Sequence, residues 1–227
     1  ANFTQLRADI LLDKDEMAYV REKQTIAVAV PENWHPLFCM TTPDSTHDGL
    51  VPDLIQEVAA FTGLSFRYVY APSYVEAIRM VKDGEADVLG FYLESEERAA
   101  AEGLAVTAPY ASLNNIIVRN KGSNYPDEGL VGGIVEGRQL PANVPAAELK
   151  TYVDIGEALV AVNQGEIDFA YGLPNRIELE IQHRYLANVV QVTLINDVSN
   201  VGFALSRPAD PTLLTILNKA VLSLPND

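Results

Sequence analysis

The chain has 227 residues, 48% of them hydrophobic, with 31 acidic side chains against 16 basic ones and a formal net charge of −15. That balance repels nucleic acid and anionic lipid, so polynucleotide partners are excluded as a class. A chain this long holds either one large domain or two lobes of about 100 residues, and either buries a proper core. The single cysteine, Cys39, excludes an internal disulfide and a cysteine-based metal cage, and leaves the redox compartment open. No stretch reaches the roughly 18 apolar residues that span a bilayer, and Ala1 does not begin a signal sequence. An exported protein would therefore have its signal or anchor outside this chain.

Residues 1–24 read as a polar leading helix or linker, with Leu11, Leu12, Met17 and Val20 as a loose apolar stripe. The run Thr25 to Val30 predicts the first strand, and a Pro-rich loop around Trp34-His35-Pro36 follows. A helix from about Pro52 to Phe61, a strand over Phe66–Tyr70, and a further helix and strand come next. This alternation predicts parallel α/β. Ala108-Pro109-Tyr110 leads into an extended run at Asn115–Val118, where a second lobe begins. That lobe takes strands at Leu130–Val135 and Thr151–Val153, a helix and strand, a helix from Pro174 to about Tyr185, and a strand at Val189–Leu194. Val201–Leu205 forms a second crossing, and a last helix, Pro211 to Leu222, returns to the first lobe. Two crossings make a hinge.

The helix–strand step occurs twice. Glu76/Glu157, Ala77/Ala158, Val81/Val162, Gly84/Gly165, Glu85/Glu166 and Asp87/Asp168 coincide at a constant offset of 81 residues without a gap. Ser73 or Asp154 is placed to cap the helix, with Glu76 or Glu157 as the other half of a capping box. Gly84 and Gly165 end the helices in the left-handed conformation, and the apolar runs Val88–Tyr92 and Phe169–Gly172 suit buried parallel strands. The repeat favours two similar lobes: 25–113 with 203–227 as the first, and 114–202 as the second.

The order Trp34-His35-Pro36-Leu37, Gly49-Leu50-Val51-Pro52-Asp53-Leu54, Gly84-Glu85-Ala86-Asp87, Glu96-Glu97-Arg98 and Thr107-Ala108-Pro109-Tyr110 resembles the extracellular solute-binding proteins of the polar amino-acid type, family 3. Val135-Glu136-Gly137, Gly165-Glu166-Ile167-Asp168 and Gly202-Phe203-Ala204-Leu205 continue it over about residues 25–222. The resemblance implies a two-lobed α/β fold of the type II periplasmic-binding-protein kind, each lobe a mostly parallel sheet flanked by helices, with a two-strand hinge. It also implies a periplasmic or extracellular location. The segment from Leu12 to Val28 is similar to the helix leading into such domains where they serve as Venus flytrap sensors of transmembrane signalling proteins.

Ligands of open parallel sheets bind beyond the carboxyl ends of the strands, which singles out Phe91, Tyr92 and Leu93 in one lobe and Tyr171 and Leu173 in the other. Arg98 matches the family arginine that grips a ligand carboxylate, a task suited to a planar fork of donors. Its plain alternative is a solvated helix arginine paired with Glu94. Gly137-Arg138-Gln139 follows a strand and could open a helix whose free amides favour an anion. Arg138 stands where the family usually has a small hydroxyl residue, and either adds a second positive group or sits on a surface loop. Trp34 offers a stacking ring or packs on Pro36. Tyr110 lines the cleft or is a buried structural residue, and Asn175 is a polar contact or part of an ordinary helix start.

Two positions depart from the family pattern. Leu173 stands where family members usually place the acid that pairs with a ligand ammonium, and Leu93 where a threonine bonds the carboxylate. A buried ammonium without a countercharge costs several kcal/mol, so an apolar or aromatic carboxylate fits better than a standard α-amino acid.

Catalytic and metal motifs are absent: His35, His47 and His183 lack HExxH spacing, and there is no GxSxG elbow or phosphate-cradling glycine loop. Cys39 near His35 is poor ground for a nucleophile–base pair. A cyclohexadienyl dehydratase sharing this fold is the enzyme alternative, with Glu136 and Arg98 its nominal acid and clamp. The sequence reading is a non-enzymatic solute-binding domain without cofactor or metal. It closes on a small carboxylate and works with a membrane-embedded signalling module or, alternatively, with an ABC permease.

Overall fold

A computed structural model describes residues 12–41, 46–192 and 195–224. The chain divides into two compact units. The first contains the chain up to Pro72, Glu76–Ala111 and the part from Asn200 onward; the second contains Ser73–Val75 and Ser112–Ser199.

In the first unit, β1 (Thr25–Pro31) pairs in parallel with β4 (Ser65–Ala71) on one side and β5 (Val88–Tyr92) on the other. β12 (Asp197–Ser206) closes onto β5 antiparallel, and β6 (Leu104–Val106) pairs antiparallel with β12. β1 and β5 are buried along almost their whole length, as near-continuous apolar strands of a parallel sheet are. A short hairpin, β2 (Cys39–Thr41) with β3 (Thr46–Asp48), lies apart from this sheet.

The second unit repeats the plan. β8 (Val131–Val135) pairs in parallel with β9 (Glu148–Tyr152) and β10 (Phe169–Gly172), and β10 takes β7 (Ala111–Asn120) antiparallel. β11 (Val189–Gln191) pairs with β7. Its core gathers Ile117, Ile134, Val144, Phe169 and Tyr171. The division between the units falls within β7 and within β12.

The helices follow from their termini. α1 (Lys14–Lys23) starts at Asp13, which forms a full capping box with Glu16. α2 (Leu50–Thr62) ends at Gly63 in the left-handed conformation, φ 81°. α3 (Tyr74–Lys82) and α5 (Ile155–Asn163) are the repeated helices; Asp154 caps α5 by accepting from the Glu157 amide at 3.0 Å. Gly84 and Gly165 take φ of 77° and 75° beyond them. α4 (Glu96–Ala101), α6 (Pro174–Arg184) and α7 (Pro211–Ser223) are the remaining helices among the described residues.

α1 is bound into the first unit. Lys219 of α7 pairs with the buried carboxylate of Glu16, and Lys23 Nζ lies 3.2 Å from Asp87 Oδ1. Of the expected leading stripe, Leu11 falls outside the described residues, as does Leu194 of the expected last strand of the second lobe.

Candidate functional site

The repeat ends in an aspartate that is used identically in both units. Asp87 accepts from the Ala27 amide through Oδ2 at 2.8 Å and donates its own amide to the Ala27 carbonyl at 2.9 Å. Asp168 does the same with Val131, at 2.8 Å in both directions. Each aspartate thus locks the first parallel strand of its unit to the repeated strand beside it. Asp168 also accepts from Ser123 Oγ at 2.7 Å.

In the first unit the candidate side chains surround the carboxyl end of β5. Phe91, Tyr92 and Leu93 are buried. The Tyr92 hydroxyl donates to Glu102 Oε2 at 2.5 Å, and the other oxygen of Glu102 is 3.6 Å from an Arg98 terminal nitrogen. Arg98 is half-buried in α4, whose N-cap Ser95 accepts the Arg98 amide at 3.1 Å. Its Nε is buried and has no hydrogen-bond partner among the described residues. The observed ion pair runs to Glu102, one turn after Arg98, instead of to Glu94, one turn before it. Both spacings bring side chains together on a helix, but Glu94 precedes the Ser95 cap and so lies outside α4.

Trp34 is half-buried, its ring 5.5 Å from that of Phe91 and tilted by 43°. The Tyr110 hydroxyl donates to the Gly90 carbonyl at 2.7 Å and its ring stands 4.7 Å from Phe203, so it braces β5 against β12. Tyr68 of β4 is pushed up to about 12 in pKa, chiefly by burial, and stays a neutral phenol.

In the second unit a buried polar cluster forms around Arg138, which is 5% exposed. One of its terminal nitrogens donates to Asn115 Oδ1 at 3.3 Å and to Ser199 Oγ at 3.4 Å, and its guanidinium lies 5.3 Å from the Tyr171 ring centroid. The Asn115 amide donates to Asp197 Oδ2 at 2.8 Å and to Ser199 Oγ at 2.9 Å, and the Tyr171 hydroxyl donates to Asp197. Arg138 is thus buried, with neutral partners on β7 and β12 accepting hydrogen bonds from its guanidinium. One expectation is corrected. Gly137-Arg138-Gln139 opens no helix: the turn at Glu136-Gly137, with Gly137 at φ 92°, runs on into irregular chain.

Gln139 and Asn175 are exposed, Asn175 in the first turn of α6, and Leu173 is buried at its N-cap. Asn115, Asp197 and Ser199 escaped the sequence reading. Each is an ordinary polar residue in an extended run, and only pairing of distant strands gathers them. Among the described residues no group of three or more His, Cys, Asp or Glu side chains is placed to hold a metal ion, and no helix is long and apolar enough to cross a membrane.

A family model described as bacterial extracellular solute-binding proteins, family 3, matches residues 26–227. The virulence sensor protein BvgS of Bordetella pertussis is 26% identical over 239 aligned residues, covering 98% of this chain and 19% of that protein. The sensor protein EvgS of Escherichia coli K12 is 23% identical and covers 99% of this chain and 19% of that protein. The chain therefore spans about a fifth of these curated relatives' length. The crystal structure of the B. pertussis BvgS periplasmic VFT2 domain superposes with a TM-score of 0.78 at 22% identity, covering 95% of this chain and 94% of that one. Holo ArgBP from T. maritima gives a TM-score of 0.73 at 16% identity, over 92% of this chain and 94% of that one. At these identities the two structures establish a shared fold.

Proposed function

The chain belongs to the bacterial extracellular solute-binding proteins of family 3, and from that premise we propose that it is the extracytoplasmic Venus flytrap sensor part of a transmembrane signalling protein, closing on a small carboxylate-bearing ligand. One observation carries the sensor reading. The family model begins at residue 26, whereas the sensor relatives align over 98% or more of the chain and so include the leading segment. That segment is integrated into the first unit through Glu16–Lys219 and Lys23–Asp87. Ligand shifts such a domain only by its difference in affinity for the closed over the open state, several kcal/mol for a full switch.

Arg98 is the carboxylate clamp in this reading. Its Nε is a buried donor in want of an acceptor, and its pairing with Glu102 is loose at 3.6 Å. Leu93 and Leu173, both buried, disfavour a ligand with a free ammonium group.

A thermal-shift screen of amino acids, aromatic and aliphatic carboxylates, polyamines and sugars tests this. A ligand at 100 times its dissociation constant adds about 2.7 kcal/mol to stability. Carboxylates without an α-amino group are expected to shift the transition, and Arg98→Ala to abolish the shift while leaving the fold intact. Micromolar binding of glutamine or arginine would overturn the ligand assignment, and undiminished affinity in Arg98→Ala would remove Arg98 from the site. The open reading frame distinguishes sensor from importer component: a membrane span and output module after Asp227 support the first, a stop codon there the second.

A further inference from the structure

Among the described residues β9 is the outermost strand of the second unit's sheet, with β8 on one side. Residues 148 to 151 are exposed, and Leu149 and Val153 are 40% and 50% exposed, large apolar side chains in solvent. Glu136 donates its amide to the Tyr152 carbonyl at 2.8 Å, so Tyr152 faces β8. With the strand period of two, the amides and carbonyls of Leu149 and Thr151 point away from the sheet, a template for another strand.

Charged residues usually protect such an edge from pairing. Here their spacing has the opposite effect for one partner. Glu148 and Lys150 flank Leu149 on the same face of the strand. In a two-fold antiparallel pairing centred on Leu149, Glu148 lies opposite Lys150 of the second copy, and Lys150 opposite its Glu148. Both contacts fall at non-hydrogen-bonded positions, where facing side chains are closest. Centring one residue later would oppose lysine to lysine.

The edge of the first unit offers no such match. β4 carries Arg67 as its single charge, and the rings of Tyr68 and Tyr70 pack against those of Phe38 and His47. We infer that β9 is a self-pairing edge through which two copies of this chain associate, by antiparallel strand addition centred on Leu149 with two reciprocal Glu148–Lys150 ion pairs. The surface is remote in sequence from Arg98, and the inference is independent of what ligand the domain takes.

Sedimentation velocity of the 227-residue chain across a concentration series tests it, with circular dichroism as the control for folding. A reversible monomer–dimer equilibrium is expected. Lys150→Glu places glutamate opposite glutamate twice and weakens it by about tenfold or more, while adding Glu148→Lys restores it by re-pairing opposite charges. Leu149→Cys, oxidised with diamide, gives a disulfide-linked dimer, because facing residues of a strand pair lie within disulfide reach. The native Cys39 is buried and does not compete. The inference is overturned by a chain that stays monomeric throughout the series, by a dimer indifferent to Lys150→Glu, or by a doubly charge-reversed variant that fails to recover association.

Discussion

Arg138 lies with its guanidinium 5.3 Å from the centroid of the Tyr171 ring and donates to Asn115 Oδ1 at 3.3 Å, which gives a buried cation both an aromatic face and a neutral acceptor. The partners are arranged as a shell: Ser199 and Asn115 bond both Arg138 and one another, and Asp197 takes the outer donors. Arg138→Met removes the cation and leaves buried acceptors under-satisfied. An unpaired buried polar group costs about 1–3 kcal/mol, so denaturant unfolding is expected to show a loss near the upper end of that range. A change within experimental error would mean the cluster is solvated in solution.

Asp87 and Asp168 are expected to act as equivalent fasteners. Asp168→Ala removes the acceptor of the Val131 amide and of Ser123, and Asp87→Ala that of Ala27 and Lys23. Each loss is on the order of 2 kcal/mol, since hydrogen bonds to charged groups contribute more than neutral ones. Hydrogen exchange reads the two separately: the Val131 amide speeds up in the first variant and the Ala27 amide in the second. Unchanged exchange at the named amide counts against the role.

Two glycines are needed for different reasons. A Cβ on Gly132 would lie 2.5 Å from the buried Phe169 ring, whereas a Cβ on Gly84 would meet no atom beyond its chain neighbours within 4 Å among the described residues, but φ there is 77°. Gly84→Ala is expected to cost about 1 kcal/mol in left-handed strain, and Gly84→Asn less, because asparagine tolerates that region. At Gly132 the order reverses. Alanine overpacks by about 1–3 kcal/mol and asparagine by more. Melting temperatures of the four variants give the comparison.

Alkaline unfolding should set in early for a protein with this many covered phenols. Burial raises Tyr68 to about 12, and Tyr70, Tyr125 and Tyr152 are also raised, each chiefly by burial. Above the ordinary tyrosine value of about 10, the unfolded chain has released these protons while the folded one still holds them. The folded state then binds more protons, so stability falls as pH rises from there towards 12. Unfolding free energy measured across that interval checks the sign; a flat profile would show that these rings are open to solvent.

Much of this protein is local information. Asp154 capping its helix, glycines ending α3 and α5, and apolar runs forming β5 and β10 all follow from interactions within a few residues, so the chain alone specified the elements and their alternation. The 81-residue repeat likewise favours two similar lobes, and the chain divides into two compact units. What Asp87 and Asp168 do was beyond reach, because their partners Ala27 and Val131 stand 60 and 37 residues earlier. The same holds for Arg138. A charged residue after Gly137 reads either as a second positive group or as a surface loop, and only the tertiary pairing that brings Asn115 and Ser199 to it, 23 and 61 residues away, supplies the acceptors its burial needs. Hydrogen bonds that satisfy a buried charge are chosen by the packed fold and leave no periodic trace in the sequence, whereas caps and periods are set by chain neighbours.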